Sequence, residues 1–182
     1  MDAVHTNTNI RGPGRGSGGN DMAIKVGDSL PLDLKLKEMV DGAPTEVRIG
    51  DLVGGKRIAL FAVPGAFTPT CSRKHLPGFV ENAGAIKAKN VDDIVCISVN
   101  DAFVMGAWGE ANSAKGKVRM LADGNGELTR ALGLELDASG FGMGKRSQRY
   151  AMIVKDGKVE QLMVEPGPGL NASSAEAMLQ KL

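Results

Sequence analysis

Residues 57–72, RIALFAVPGAFTPTCS, decide the fold. RIALFAV (57–63) is a short apolar run, as expected of a strand covered on both faces. VPGAFTPTCS (63–72) leaves that strand and opens a helix. Thr68 reads as the N-cap and Pro69 as the first helical residue, where its missing N–H costs nothing. Cys71 then falls in the first turn, among backbone N–H groups that have no intrahelical partner.

Working outward, DDIVCISVN (92–100) is a second buried-strand run, rich in β-branched residues. Between the two, Leu76, Phe79, Val80, Ala83 and Ile86 recur at helical spacing over residues 73–89, and Pro77 with Gly78 is expected to bend or interrupt that helix near its start. Phe103, Val104, Ala107 and Trp108 predict another helix, with Phe103 and Trp108 in the core or a pocket wall. VRMLA (118–122) reads as a strand, and residues 127–132 as a helix stopped at Gly133. YAMIVKDGKVEQLMV (150–164) is a hairpin turning at Asp156-Gly157, and Ser173 and Ser174 are candidate caps for a C-terminal helix. This order implies an α/β domain in which a central mixed β-sheet is flanked by helices on both faces.

The chain has 182 residues, enough for one domain that needs no disulfide or metal staple. Twenty-two basic residues against 21 acidic ones give no electrostatic reason to expect nucleic acid or an anionic membrane as partner. No apolar run approaches the ~20 residues that span a bilayer. Two cysteines and two histidines are too few for most structural zinc sites, so no metal and no cofactor is expected. Residues 1–21 are polar and glycine-rich and read as a disordered leader, tag or targeting remnant ahead of a folded unit over 22–182. The expected compartment is the cytoplasm, or a mitochondrion or other organelle if the leader is a targeting remnant.

The helix dipole and the free N–H groups around Cys71 favour an anionic sulfur, and the thiolate is the nucleophilic form. Against a peroxide, a hydroxyl such as that of Thr68 can hydrogen-bond a peroxide oxygen. A guanidinium can stabilise both thiolate and transition state, and KRSQRY (145–150) offers Arg146 and Arg149. Pro64, at the strand end, would shield the sulfur from bulk water. Arg146, three residues from Arg149, is expected to be solvated.

Pro64-x-x-x-Thr68-x-x-Cys71 resembles the PxxxTxxC signature of the peroxiredoxins. PGAFTPTCSRKHLPGF, VCISVNDAFVMGAWG, KVRMLADGNGE and RSQRYAMIVKDGKV together are similar to the type II (type V) subfamily, from about Ala23 to Leu182. The resemblance implies a thioredoxin-like fold with an N-terminal β elaboration. It also implies a thiol peroxidase acting on hydrogen peroxide, alkyl hydroperoxides and often peroxynitrite. It carries the peroxidatic cysteine onto Cys71, the threonine onto Thr68, the proline onto Pro64 and the arginine onto Arg149. A homodimer is implied as well.

Cys71 would become a sulfenic acid and be restored by a thiol reductant, either glutathione with glutaredoxin or thioredoxin. Cys96 has two readings. It is a resolving cysteine, as proposed for plant-like members with this spacing, or a buried strand residue in IVCISV, which is preferred because a disulfide would demand local unfolding. His75, one helical turn from Cys71, either tunes the thiolate and lines the pocket or is structural, the second being preferred. No cysteine lies in NASSAEAM (171–178), where other members place a resolving one. GNGE (124–127) and GFGMG (140–144) read as loops, since neither has the context of a dinucleotide fingerprint. The competing functions are a dithiol oxidoreductase, disfavoured by the missing CxxC, and a redox sensor or holdase switched by Cys71 oxidation.

Overall fold

The computed structural model describes residues 23–182, so the expectation for residues 1–21 lies outside the described residues. The strand opening the decisive stretch is β3 (Arg57–Val63). It lies inside a seven-stranded sheet with β1 (Lys35–Val40), β2 (Ala43–Arg48), β4 (Asp93–Ser98), β5 (Arg119–Ala122), β8 (Tyr150–Lys155) and β9 (Lys158–Val164), in the order β2-β1-β5-β4-β3-β8-β9. The β3–β4 and β4–β5 pairs are parallel, and the pairs toward both edges are antiparallel. The sheet is therefore mixed, and the β1–β2 hairpin is the N-terminal elaboration.

Alternation along β3 builds two cores. Ala59, Phe61 and Val63 face α2 (Leu76–Glu81), α3 (Ala83–Lys87), α4 (Ala102–Ala111) and α6 (Ala175–Leu179). Ile58, Leu60 and Ala62 face α1 (Ile49–Val53) and α5 (Glu127–Ala131). Each interior strand is apolar on both faces because each face meets helices.

Several local expectations hold. Gly133 follows α5 with φ +68°, the left-handed conformation that ends a helix. Asp156 and Gly157, at φ 47° and 79°, form the β8–β9 turn. Ser174 caps α6 by accepting from the Ala177 N–H.

One expectation is extended, one is met in part and one is corrected. The helix after Cys71 is interrupted twice. Cys71–His75 is a π-helical turn whose closing bond runs from the Leu76 N–H to the Cys71 carbonyl. It meets α2 beside Pro77, which has no N–H for an ordinary helical bond to the preceding turn. A second break falls at Asn82, where ψ turns to 8°.

On α4 the buried stripe is Ala102, Met105, Trp108 and Gly109, so Trp108 is core while Phe103, 64% exposed, lines a surface cavity beside Gly106 and Ala107. Glycines set this rotation. A Cβ at Gly106 would meet Met39 Cγ at 2.8 Å and one at Gly109 would meet Met120 Cγ at 2.7 Å, so the helix lies close on β1 and β5. Finally, β6 (Glu135–Asp137) and β7 (Lys145–Ser147) form a separate two-stranded ribbon, and Arg146 on β7 is partly buried and hydrogen-bonded rather than solvated.

Candidate active site

The loop between β3 and the π-helical turn is shaped by its own hydrogen bonds and by the end of β4. Thr68 is the residue before the first helical position, and its carbonyl accepts from the Ser72 N–H at 2.9 Å. Its hydroxyl does not cap the helix. It donates to the Gly65 carbonyl at 2.7 Å and closes the loop on itself, while Phe67 takes a left-handed φ of 62°. Asn100 holds the middle of the loop, because its Oδ1 accepts from the Ala66 N–H at 3.0 Å and from Ser98 Oγ at 2.6 Å. Pro64 sits where β3 ends and is partly exposed.

Cys71 is fully buried at the start of the π-helical turn. Arg149 lies immediately before β8, the strand paired with β3, and its Nη2 donates to Cys71 Sγ at 3.1 Å. The other terminal nitrogen, Nη1, donates to His75 Nδ1 at 2.8 Å. His75 Nε2 lies 2.9 Å from the Ser173 carbonyl. A carbonyl only accepts, so Nε2 carries the ring proton and Nδ1 presents its lone pair to the guanidinium. Burial, then the neighbouring Arg149 charge, pushes the His75 pKa down to about 3. The ring is thus neutral and fixed in one tautomer. It also packs on Phe61 and Phe79, which stack on each other at 4.0 Å.

Cys96 lies in the middle of β4, in register with Phe61 and fully buried, and is a free thiol like Cys71. Burial, then the proximity of Cys71, pushes its pKa well up, which makes it a poor nucleophile where it stands. It shares one core cluster with Cys71, but the two are not bonded.

The structure therefore joins Cys71, Arg149 and His75 by hydrogen bonds, places Pro64 and Thr68 on the loop that leads into Cys71, and leaves Cys96 within the core. Three contributors escaped sequence reasoning, and Arg146, offered there as a guanidinium candidate but expected to be solvated, plays a part other than the one expected. Asn100 holds the loop, Arg146 ties the Met143 and Val99 carbonyls together beside Gly65, Ser72 accepts from Trp108 Nε1 at 2.9 Å, and Ser173 fixes the His75 tautomer. Asn100 alone had a readable signal. It follows the carboxyl end of β4, beside the carboxyl end of β3, where open parallel sheets build their sites. Among the described residues no group of three or more His, Cys, Asp or Glu side chains is placed to hold a metal ion, and no helix is long and apolar enough to cross a membrane.

This arrangement sets one buried sulfur beside a fixed cation, with a hydroxyl on the loop that precedes it. The comparisons agree with that chemistry. Residues 25–179 match the Redoxin family. The chloroplastic peroxiredoxin-2E-2 of Oryza sativa subsp. japonica is 53% identical over 163 residues, covering 87% of this chain and 72% of the relative. Peroxiredoxin-2B of Arabidopsis thaliana is 51% identical over 160 residues, covering 87% of this chain and 98% of the relative. Among solved structures, reduced Prx3 of Vibrio vulnificus in complex with hydrogen peroxide superposes with a TM-score of 0.83 at 49% identity, covering 87% of this chain and 98% of that one.

Proposed function

The chain belongs to the peroxiredoxins of the Redoxin family, thiol peroxidases of antioxidant defence, and from that premise we propose that Cys71 is the thiol that attacks the peroxide. The observation that carries this reading is the 3.1 Å hydrogen bond from Arg149 Nη2 to Cys71 Sγ, on a guanidinium whose other arm is held by His75. A fixed cation stabilises the thiolate before reaction and the charge that develops as the O–O bond breaks.

Each group has one task. The thiolate attacks the nearer peroxide oxygen, the O–O bond breaks, and the departing oxygen takes a proton to leave as water or an alcohol, so that Cys71 becomes a sulfenic acid. Because the Thr68 hydrogen is committed to the Gly65 carbonyl, its oxygen offers lone pairs and accepts from the peroxide O–H. Pro64 keeps bulk water from the sulfur. The domain described over residues 23–182 carries this chemistry on hydrogen peroxide and alkyl hydroperoxides, and on peroxynitrite, from which the departing group leaves as nitrite.

The reductant is glutathione, with glutaredoxin, rather than an internal thiol. Full burial of Cys96 at the centre of β4 and its raised thiol pKa support this. Glutathione condenses with the sulfenic acid and releases water, and a second thiol then displaces the glutathionyl sulfur and restores Cys71. The working form is a homodimer, supported by exposed Phe67 and Phe141 on the loops beside Gly65, 56% and 86% exposed. Two unpaired thiols suit a reducing compartment such as the cytoplasm. Both chloroplastic and other peroxiredoxins are among the relatives, so fluorescence localisation of the full chain decides between cytoplasm and organelle.

Peroxide consumption over many turnovers, with glutathione and glutaredoxin in excess, tests the catalytic reading. Wild type turns over and Cys71→Ser does not. Activity in Cys71→Ser would overturn the assignment, and a single oxidation without turnover would make the protein a redox sensor instead.

A further inference from the structure

Beyond His75 the hydrogen bonds continue into the C-terminal segment and end on a carboxylate. Glu165, just after β9, is nearly buried. Its Oε1 accepts from the Asn171 N–H at 2.7 Å, the Ser173 N–H at 2.8 Å and Ser173 Oγ at 2.9 Å. Its own N–H donates to the Arg149 carbonyl at 2.9 Å. One residue therefore clamps two things, the backbone of Arg149 and the turn that carries the Ser173 carbonyl. Burial acts to raise its pKa, but the Ser173 and Asn171 hydrogen bonds outweigh it and hold the carboxyl below its ordinary value.

The geometry beyond that turn depends on it. If the Ser173 carbonyl moves away, Nε2 loses its acceptor and the proton is free to shift to Nδ1, where it meets the Arg149 N–H groups. Arg149 then loses the acceptor that aims it. We infer that Glu165 is a positioning residue of the peroxidase, acting through the Ser173 carbonyl and His75 to hold the Arg149 guanidinium against Cys71 Sγ. The inference rests on Cys71 being the attacking thiol.

The sign of one measurement separates positioning from plain electrostatics. Glu165 is an anion, so its removal by Coulomb's law alone favours a second anion nearby and makes Cys71 ionise at lower pH. Loss of the guanidinium contact does the reverse. The test is the pH–rate profile for alkylation of Cys71 by iodoacetamide, read on the Cys71 peptide by mass, beside kcat/KM for hydrogen peroxide.

In Glu165→Ala the alkylation midpoint is expected to rise by about one pH unit, and kcat/KM to fall about tenfold or more. Glu165→Gln keeps an acceptor without the charge, so its midpoint stays at or below that of wild type and its rate stays within a fewfold. If the alanine variant does not fold, Glu165→Asp carries the test. It keeps the charge but withdraws the acceptor, so it too moves the midpoint up. A midpoint that is unchanged or lowered in the Ala or Asp variant, or a Gln variant as impaired as Ala, overturns the inference. Wild-type protein inert to peroxide would instead overturn the reading of Cys71 on which it stands.

Discussion

At the scale of single residues, the site is a sulfur, a guanidinium and a neutral imidazole in contact, and each makes a separate prediction. Arg149→Ala is expected to cut kcat/KM for hydrogen peroxide by about two to three orders of magnitude. Arg149→Lys should recover little, because an ammonium lacks the fork that reaches Cys71 and His75 together. His75 predicts a pH dependence of stability. Its folded pKa of about 3 lies below the ordinary imidazole value of 6.5. Between those values the unfolded chain binds a proton that the folded chain does not, so stability is lost as pH falls from 6.5 toward 3, on the order of a few kcal/mol in all. Urea unfolding across that range should therefore show a smaller acid loss in His75→Asn than in wild type. Cys71, Thr68 and Pro64 stand out in the sequence because they share one eight-residue signature, and Arg149 because a strand follows it, and the structure joins Arg149 to Cys71. The bonding role of His75 does not stand out, since its partners Ser173 and Arg149 are 98 and 74 residues away in the chain.

Elements were legible where one pattern sufficed. β3 and β4 are continuous apolar runs, and the β8–β9 hairpin announces itself by Asp156-Gly157. The π-helical turn was not readable, because Cys71–His75 has the composition of an ordinary first turn and only Pro77 hints at a change of bonding. The face of α4 was legible in part, since Trp108 is core while two glycines, rather than Phe103, decide which side seats on the sheet. That seat predicts that Gly109→Val, which pushes against Met120, destabilises the fold by about 1–3 kcal/mol, measured by denaturant unfolding. The loop is tested by Asn100→Ala. Removal of the acceptor that holds the Ala66 N–H should raise KM for peroxide severalfold while thermal stability changes little.

For the whole molecule, the mixed sheet places the carboxyl ends of β3 and β4, the start of β8 and the C-terminal turn at one end of the strands, so four distant segments contribute to one hydrogen-bonded site. The two cysteines end in unlike places, one at a helix start beside a cation and the other at the centre of a strand. Cys96→Ser is accordingly expected to leave glutathione-coupled turnover largely intact, and its collapse would make Cys96 a participant. The most direct test is the intact mass of reduced protein mixed with one equivalent of hydrogen peroxide and then with glutathione, in wild type and Cys71→Ser. A gain of one oxygen that converts to a glutathione adduct, in wild type alone, is the predicted result. Rapid oxidation of Cys71→Ser, or a wild type left unchanged by peroxide, would contradict it.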